Sequence, residues 1–486
     1  MKFKAAVLTA CVGLTGLNQL AWANTNPYKN EKEIEFVANS GEKTQAFEGF
    51  YMVRENRDDP HSRMIRVNYV RFAATGKRKG APIVYLAGGP GGSGIATAKW
   101  RRFPLFMGLR EYGDVIALDQ RGTGASEQPE VCTSDIKIAL DKKASAVTIA
   151  SKYHQAANQC LANWKSQGID VKAYNSVQNA YDIDSLREHL QADKVTLWGI
   201  SYGSHLALTA IKLFPERLDK VIIASAEGLN QTVKLPAMTD KYFAQIQTVI
   251  DQQPLKKLVP NLPALMQRVH GKLDSAPITL QIPNKDGSER AILFQTHHMR
   301  MLASMMIADP NHYLAMLIHI YLGLDGGNTD LLVNVLQRGI FKDEAISFRL
   351  MPLVMDVASG ITEARLNIVK QQAKTSLLAD KLNFPMPMLN RFEATLDLGD
   401  RFRKAPQSDV ATLLFTGSLD GRTYPKEQQA AVAGLSNLTH IMVNNAGHNL
   451  FTSSADVLDI MKLFLAGEKV QQTQIDLPLP DLSLKK

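Results

Sequence analysis

The sequence predicts an α/β fold in which a mostly parallel central sheet carries a large, mainly helical insertion. Three observations support this prediction. Short apolar runs typical of buried parallel strands recur in the first half of the chain, each followed by a polar or glycine-rich loop. This alternation stops at about residue 229 and resumes near residue 406. Between these points, leucines and methionines occur throughout a stretch with a helical pattern.

These breaks divide the chain into five predicted segments. Residues 1–23 are a signal peptide, 24–228 and 406–470 are the two parts of the sheet domain, and 229–405 are a helical cap inserted before the last strands. Residues 471–486, with two prolines and several charges, are a tail that we expect to be loosely held.

Length and composition are those of a globular protein. The 486 residues are 45% apolar and 21% charged, which allows one large core and an inserted domain. The formal net charge of +8 includes Lys2 and Lys4, and no run of lysine and arginine marks a nucleic-acid-binding surface. We therefore expect no nucleic-acid partner. We also expect no transmembrane segment in the mature chain, because no later apolar run is long enough to span a bilayer.

The N-terminus has the pattern of a secretory signal peptide. A short basic start precedes an apolar run over residues 5–17, and Ala21-Trp22-Ala23 forms a cleavage site before Asn24. This predicts a periplasmic or secreted protein. An alternative is lipoprotein processing at Cys11, because Leu8-Thr9-Ala10-Cys11 resembles a lipoprotein cleavage box.

Two cysteines, Cys132 and Cys160, remain once the signal peptide is removed. In an exported chain, two cysteines favour a disulfide over a metal site or a nucleophile. No Cys-x-x-Cys or His-x-x-x-His pattern indicates a metal site. We predict a disulfide, no metal and no cofactor.

A serine between a predicted strand and a predicted helix is the strongest functional signal. An apolar run over residues 195–200 ends at the motif Gly199-x-Ser201-x-Gly203, and a helical pattern follows. This spacing is typical of a tight turn that holds a serine in strained geometry with its hydroxyl exposed above the sheet. The glycines allow neighbouring backbone to approach, and the helix N-terminus directs N–H groups at a nearby anion.

A glycine cluster, residues 88–94, directly follows the predicted strand 82–86. Its backbone amides can approach a ligand closely, so it is a candidate for the second half of an oxyanion site, with the N–H of Tyr202 as the first half. A phosphate-binding loop is excluded because no Gly-Lys-Ser/Thr follows. The spacing of a dinucleotide fingerprint is also absent.

Partners for the serine occur later in the chain. A serine hydroxyl needs a base, usually histidine, and the histidine needs a carboxylate. Asp420 and His448 each follow a predicted strand, so Ser201, Asp420 and His448 are expected to meet at one edge of the sheet. This chain order is that of the α/β-hydrolase arrangement. The rival histidines are expected to be structural: His189, His205 and His440.

Asp119 and Arg121 follow another predicted strand, 114–118. Ligand sites lie beyond the carboxyl ends of parallel strands, so both are candidates for substrate binding. We favour a structural role, in which they form an ion pair that braces the turns near the glycine cluster.

Five stretches also carry a resemblance to a known family: Gly88-Gly89-Pro90-Gly91-Gly92, Asp119-Gln120-Arg121-Gly122-x-Gly124-x-Ser126, Gly199-Ile200-Ser201-Tyr202-Gly203, Asp420 with Thr423 and Pro425, and Gly447-His448. Together they resemble the prolyl iminopeptidase and tripeptidyl aminopeptidase family of secreted α/β-hydrolases. The resemblance covers about residues 45–466 and is weak in the cap. It implies a serine exopeptidase acting on peptides with a free N-terminus, with Ser201 as nucleophile, Asp420 as orienter and His448 as base. It also implies an oxyanion site formed by the amides of Tyr202 and Gly89.

The chain departs from this family at Ala87, where members often have histidine before the glycine cluster. The family also recognises the free α-amine of its substrate with acidic residues near the cap. Glu227, just past a predicted strand, is the candidate here, and the alternative is a glutamate at a helix start.

Three other functions remain open on the same residues. A carboxylic-ester hydrolase would use the same triad. An endopeptidase would cleave peptides with a blocked N-terminus. A non-catalytic binding module would keep the fold without turnover.

Overall fold

A ten-stranded sheet is the main feature of the computed structural model, which describes residues 28–77, 80–284 and 287–484. The predicted signal peptide and the alternative lipoprotein site at Cys11 lie outside the described residues. In chain order the described strands are β1 (Glu31–Val37), β2 (Lys43–Arg54), β3 (Met64–Phe72), β4 (Ile83–Leu86), β5 (Val115–Leu118), β6 (Cys132–Lys137), β7 (Val195–Ile200), β8 (Leu218–Ala224), β9 (Ile278–Pro283), β10 (Glu289–Phe294), β11 (Ala345–Phe348), β12 (Thr412–Gly417), β13 (Leu438–Asn444) and β14 (Gln474–Asp476).

The strand order of this sheet is β1-β2-β3-β5-β4-β7-β8-β12-β13-β14. The first three strands pair antiparallel, and β3 is also antiparallel to β5. From β5 to β14 every neighbouring pair is parallel. The predicted α/β-hydrolase fold with a mostly parallel central sheet is therefore confirmed.

Helices accompany the sheet and fill the insertion. In chain order the α-helices are α1 (Gly94–Lys99), α2 (Phe103–Leu109), α3 (Ala146–Ser166), α4 (Ser176–His189), α5 (Tyr202–Leu213), α6 (Pro236–Ile250), α7 (Leu262–Ser275), α8 (Thr296–Met306), α9 (Ala315–Asp325), α10 (Asp330–Leu336), α11 (Leu350–Ser359), α12 (Glu363–Gln372), α13 (Met386–Leu389), α14 (Gly399–Arg403), α15 (Pro425–Val432) and α16 (Ala455–Ala466). Within the described ranges, none combines the length and the apolar character needed to cross a bilayer.

The alternation of side chains along β4 shows how the sheet is covered on both faces. Val84 and Leu86 belong to a hydrophobic cluster that contains residues of α4 and α5. Ile83 and Tyr85 point the other way, into a cluster with residues of α1, α2 and α16. Strands that are buried on both faces are apolar throughout, which is why their sequence runs were continuous rather than alternating.

The C-terminal tail differs from the expectation that it is loosely held. Gln474–Asp476 forms β14 and pairs in parallel with β13 at the edge of the sheet. Farther on, Leu482 is fully buried, and its N–H donates to the side chain of Gln253 at 3.0 Å. The prolines of this segment do not prevent the pairing, because they follow the three residues that form the ladder.

The insertion between β8 and β12 is mainly helical, but it also contains strands that sequence reasoning did not identify. The β9–β10 hairpin forms a separate two-stranded sheet, and β11 pairs with β6 of the first part of the chain. Buried residues between 242 and 336 form most of one hydrophobic cluster, which also contains Leu377 and Leu378, whereas most of those between 350 and 402 pack into the same cluster as α4 and α5. The cap boundaries at 229 and 405 stay a prediction.

Candidate active site

Ser201 lies on the turn between β7 and α5, as the spacing predicts. Its backbone has φ 56° and ψ −126°, a conformation that is strained for any residue with a side chain. A Cβ atom on Gly203 would lie 2.1 Å from the carbonyl oxygen of Leu86, and one on Gly199 would lie 2.6 Å from the carbonyl oxygen of Gly203. Only glycine fits at these two positions, so the sequence motif follows from the close approach of β4, β7 and α5.

Asp420 and His448 follow β12 and β13, and the structure brings them into contact. Nδ1 of His448 lies 3.0 Å and 3.1 Å from the two carboxylate oxygens of Asp420. Asp420 is 1% exposed and also accepts hydrogen bonds from the N–H groups of Arg422 and Thr423, at 2.8 Å and 2.9 Å, and from the Thr423 hydroxyl at 2.7 Å. Burial alone raises the pKa of Asp420, but His448 and these donors outweigh it and lower the pKa.

Ser201 and His448 line the same cavity of about 490 Å³. The end of β8 lies between their loops. The N–H of Ser201 donates to the carbonyl of Ala224 at 3.1 Å, and the hydroxyl of Ser225 donates to the carbonyl of His448 at 2.9 Å. Among the residues that the structure describes, no hydrogen bond joins the Ser201 hydroxyl directly to the imidazole. The two groups therefore share a cavity, while only His448 and Asp420 are in hydrogen-bond contact.

The glycine cluster lies directly against the serine turn. Gly88 and Gly89 line the same cavity, and a Cβ atom on Gly88 would lie 2.7 Å from the carbonyl oxygen of Ile200 and 3.5 Å from the nitrogen of Tyr202. Tyr202 is the first residue of α5, so its N–H is among those that have no acceptor within the helix. The two predicted oxyanion donors, Tyr202 and Gly89, thus belong to neighbouring segments at one end of the cavity.

Asp119 and Arg121 are structural, but they do not pair with each other, so that part of the prediction is wrong. Arg121 is fully buried and forms a bidentate ion pair with Asp182 of α4, at 2.6 Å for both contacts. Asp119 instead accepts hydrogen bonds from the Ser93 hydroxyl at 2.6 Å and the N–H of Ala125 at 2.7 Å. Arg121 is therefore tied to a helix distant in sequence, whereas Asp119 joins its own loop to the start of α1.

The three rival histidines contact other groups and do not line the cavity of Ser201. His205 is buried between the Gly228 carbonyl at 3.3 Å and the Ser359 hydroxyl at 3.1 Å, and burial lowers its pKa to about 4. Burial also lowers the pKa of His189 and of His440. These contacts are those of structural histidines.

Two carboxylates from different parts of the chain face the same cavity. Glu227 is 5% exposed and forms an ion pair with Lys234, whose Nζ lies 2.9 Å from Oε2. Asp356, on α11, was not identified from the sequence. Burial, followed by the nearby charge of Glu227, raises the pKa of Asp356 to about 8, although Lys234 opposes this shift. The available signal was a single charge within the otherwise apolar run 350–358.

Cys132 and Cys160 form the predicted disulfide, with an S–S distance of 2.04 Å. The bond joins β6 to α3, and neither cysteine lines the cavity of Ser201.

Comparison with known proteins agrees with this architecture. A family model described as alpha/beta hydrolase fold matches residues 81–280. Serine protease Hip1 of Mycobacterium tuberculosis is 29% identical over 182 residues, which cover 36% of this chain and 34% of that protein. Tripeptidyl aminopeptidase of Streptomyces lividans is 27% identical over 194 residues, covering 36% of this chain and 34% of that protein. A probable proline iminopeptidase of Streptomyces coelicolor is 26% identical over 220 residues, covering 43% and 53%.

The match spans about a third of the length of the first two relatives. The predicted resemblance to this group of hydrolases is confirmed at this modest identity. Its sheet order, its serine turn and the matched family model identify the chain as an α/β-hydrolase-fold protein similar in sequence to serine peptidases and aminopeptidases.

Proposed function

We propose that this protein is a secreted or periplasmic serine aminopeptidase, of the proline iminopeptidase or tripeptidyl aminopeptidase type, in which Ser201, Asp420 and His448 are the catalytic triad. The observation that carries the proposal is the contact between His448 and Asp420 beside a strained serine that lines the same cavity. A histidine oriented by a buried carboxylate is what a serine hydroxyl needs to act as a nucleophile at neutral pH.

The reaction proceeds through an acyl-enzyme. The Asp420 carboxylate accepts a hydrogen bond from Nδ1 of His448, so Nε2 is left without a proton. Nε2 then accepts the proton of the Ser201 hydroxyl as the serine oxygen attacks the scissile carbonyl carbon. His448 then returns this proton to the leaving nitrogen, and the C–N bond breaks. A water molecule, deprotonated by the same imidazole, hydrolyses the ester and restores Ser201. Catalytic hydrogen bonds are often long without substrate, so the absence of a direct contact between Ser201 and His448 is compatible with these steps.

The negative oxygen that forms during each attack is stabilised by two backbone N–H groups, those of Tyr202 and Gly89. Both segments border the cavity beside Ser201. Backbone donors fixed before the reaction require no reorganisation when charge develops, which makes this type of stabilisation large.

The free amine of the substrate is bound by Glu227 and Asp356. Glu227 already forms an ion pair with Lys234, whose Nζ lies 2.9 Å from its carboxylate. Asp356 has no such partner among the described residues, and a substrate ammonium placed beside it would favour its ionised form. An ester without an amine would bring no cation to this group, which would then stay protonated and contribute no charge-assisted contact, so Asp356 supports an aminopeptidase over the alternative of a carboxylic-ester hydrolase.

Export and substrate selection by the cap complete the proposal. The Cys132–Cys160 disulfide supports export, because disulfides persist in oxidising compartments. Asp356 supports a selecting role for residues 229–405, since it brings a charged group from that segment to the cavity of Ser201.

The test is a panel of amidomethylcoumarin substrates with Pro, Ala and tripeptide leaders, each with a free or acetylated N-terminus, together with simple p-nitrophenyl esters. We expect the wild type to cleave the free-amine substrates, and Ser201→Ala to lower their turnover by roughly 10⁴-fold or more. Ser166→Ala, which changes an exposed serine on α3, is the matched control and should keep wild-type turnover. Near wild-type activity in Ser201→Ala, or equal cleavage of free and acetylated substrates, would overturn the proposal.

A further inference from the structure

A second, larger cavity of about 960 Å³ lies next to the cavity of Ser201. The two cavities share Thr97, Arg102 and Asn449 in their walls. Residues 100–102, which join α1 to α2, line the larger cavity, and so do Asp309, Asn311 and His312 of the insertion. The loop that carries His448 also lines the larger cavity, through residues 446, 447 and 449. His448 therefore lies at the boundary between the two spaces.

Two guanidinium groups give the larger cavity a positive wall. Arg101 is exposed, and its polar contact is with Nε2 of His312 at 3.4 Å. Arg102 donates to the hydroxyl of Tyr85 and lies over that ring, at 5.6 Å from its centroid. Within the described part of the chain, neither arginine forms an ion pair with a carboxylate. Their charges therefore remain available to an anionic ligand.

The acidic residue of this cavity, Asp309, does not neutralise the arginines. Its carboxylate lies 2.8 Å from Nδ1 of His312 and accepts the N–H of Asn311 at 3.2 Å. Asp309 is thus engaged within its own loop and is linked to Arg101 only through His312.

The carboxyl groups of Glu227 and Asp356 line the smaller cavity together with Lys234 and Arg422, and Arg102 lines both cavities. Arg101 lines only the larger cavity, so a cation without a carboxylate partner among the described residues lies in the cavity that Asp356 does not line. A peptide carries an ammonium group at its first residue and a carboxylate at its last. Since His448 must deliver a proton to the leaving nitrogen, the leaving part of the substrate has to lie on the far side of His448 from the amine.

We propose that the larger cavity binds the leaving part of the peptide and that Arg101, assisted by Arg102, selects a carboxylate on it. This inference rests on the aminopeptidase function proposed above and adds the substrate class to it: short peptides that end in a free carboxylate or carry an acidic residue after the cleaved bond. Trp100, with 59% of its surface exposed, lines the same wall and offers an apolar face to the side chains of the leaving part.

The test uses oligoalanine peptides of two to six residues in three matched forms: the free acid, the C-terminal amide, and the amide with aspartate as its last residue. Initial rates give kcat/KM for wild type, for Arg101→Gln, and for Arg338→Gln as the control. Arg338 is exposed, has no carboxylate partner among the described residues, and lines neither cavity. Ratios between substrates are compared within each enzyme, so differences in folded fraction cancel.

For wild type we expect the free acid to be cleaved roughly threefold to tenfold better than the amide, as suits a charge-assisted contact at a partly exposed site. Arg101→Gln should bring this ratio close to one, and Arg338→Gln should leave it unchanged. If the amide with a terminal aspartate is cleaved as well as the free acid, Arg101 accepts any carboxylate on the leaving part. If it is cleaved only as well as the plain amide, Arg101 requires the carboxylate of the chain terminus. Both results support the proposal.

The proposal is overturned if wild type shows no preference, or if Arg101→Gln and Arg338→Gln reduce the preference equally. Either result leaves the aminopeptidase function standing, since all peptides would still be cut from the N-terminus. If no free-amine peptide is cleaved, the proposed function itself fails, and the role of the larger cavity fails with it.

Discussion

Asp420 and Asp356 are two carboxylates near one cavity, yet their surroundings move their pKa values in opposite directions. Burial raises the pKa of both. Asp420 has His448 and several N–H and O–H donors around it, and these lower its pKa below the usual value. Asp356 faces the negative charge of Glu227, and its pKa rises to about 8. Burial therefore does not decide the ionisation of a carboxyl group; the donors and charges beside it do.

This difference separates the two proposed roles. Asp420 is kept ionised by the protein itself, which suits a group that holds the imidazole of His448 in one orientation through the whole reaction. Asp356 forms no ion pair among the described residues, and a positive charge placed beside it would lower its pKa and favour the ionised form, which suits a group that recognises the substrate ammonium.

The largest effect is expected for Asp420→Asn. The amide cannot stabilise the imidazolium and favours the wrong tautomer of His448, so kcat should fall by roughly 10⁴-fold while KM changes little. Steady-state kinetics on a free-amine amidomethylcoumarin substrate measure this. Asp459→Asn, at an exposed position on α16, is the matched control. A decrease in kcat of tenfold or less in Asp420→Asn would contradict the assignment of Asp420 to the catalytic triad.

A smaller effect is expected for Asp356→Asn, which should raise the free energy of unfolding at pH 8, whereas Asp420→Asn should lower it. The pKa of Asp356 is raised in the folded state, so the carboxyl is protonated there over a pH range in which it is ionised in the unfolded chain. The stability from this group is fully present below pH ~4 and is lost as the pH rises to about 8. A neutral amide avoids that loss, so Asp356→Asn should raise the free energy of unfolding at pH 8 by up to about 5 kcal/mol, since each pKa unit is worth ~1.4 kcal/mol, but not at pH 4.

Denaturant unfolding of wild type and Asp356→Asn at the two pH values checks this. Asp420→Asn should instead lose stability at pH 8, because the pKa of Asp420 is lowered by donors that the amide cannot all satisfy. If both substitutions shift the free energy of unfolding in the same direction at pH 8, the contrast between the two carboxylates is wrong.

The smallest effect concerns histidines of the insertion. Burial lowers the pKa of His297 to about 4 and that of His298 to about 3. Below pH ~6.5 these two histidines bind protons in the unfolded chain but stay neutral in the folded protein. The free energy of unfolding should therefore fall as the pH drops from that value towards 4. His297→Gln should reduce this fall by about 1 kcal/mol, as measured by urea unfolding at pH 7.5 and 4.5. The exposed His61, changed to Gln, is the control and should leave the pH dependence intact.

Sequence reasoning succeeded where structure is local. The continuous apolar runs identified the parallel strands, and Gly199-x-Ser201-x-Gly203 identified the serine turn, because each of these features follows from residues adjacent in the chain. The order of Asp420 and His448 after their strands added the carboxylate–histidine pair, because parallel strands end at a common edge.

It failed where distant segments pack together. The partner of Arg121 is Asp182 on α4, and no pattern near residue 121 points to it. Asp356 and the larger cavity depend on how the insertion lies against the sheet, and a helical period does not tell which neighbour a helix face meets. Residues 474–476 were assigned to a loose tail because three residues are too few for a strand pattern, although an open edge beside β13 receives them.

The separation of catalysis from amine recognition is tested by the ratio of kcat/KM for a free-amine substrate to that for its N-acetylated form, measured in wild type, Asp420→Asn and Asp356→Asn. We expect a high ratio in wild type, the same ratio in Asp420→Asn despite its low rates, and a fall of roughly tenfold or more in Asp356→Asn. A ratio that collapses in Asp420→Asn but survives in Asp356→Asn would contradict the separation of catalysis from amine recognition.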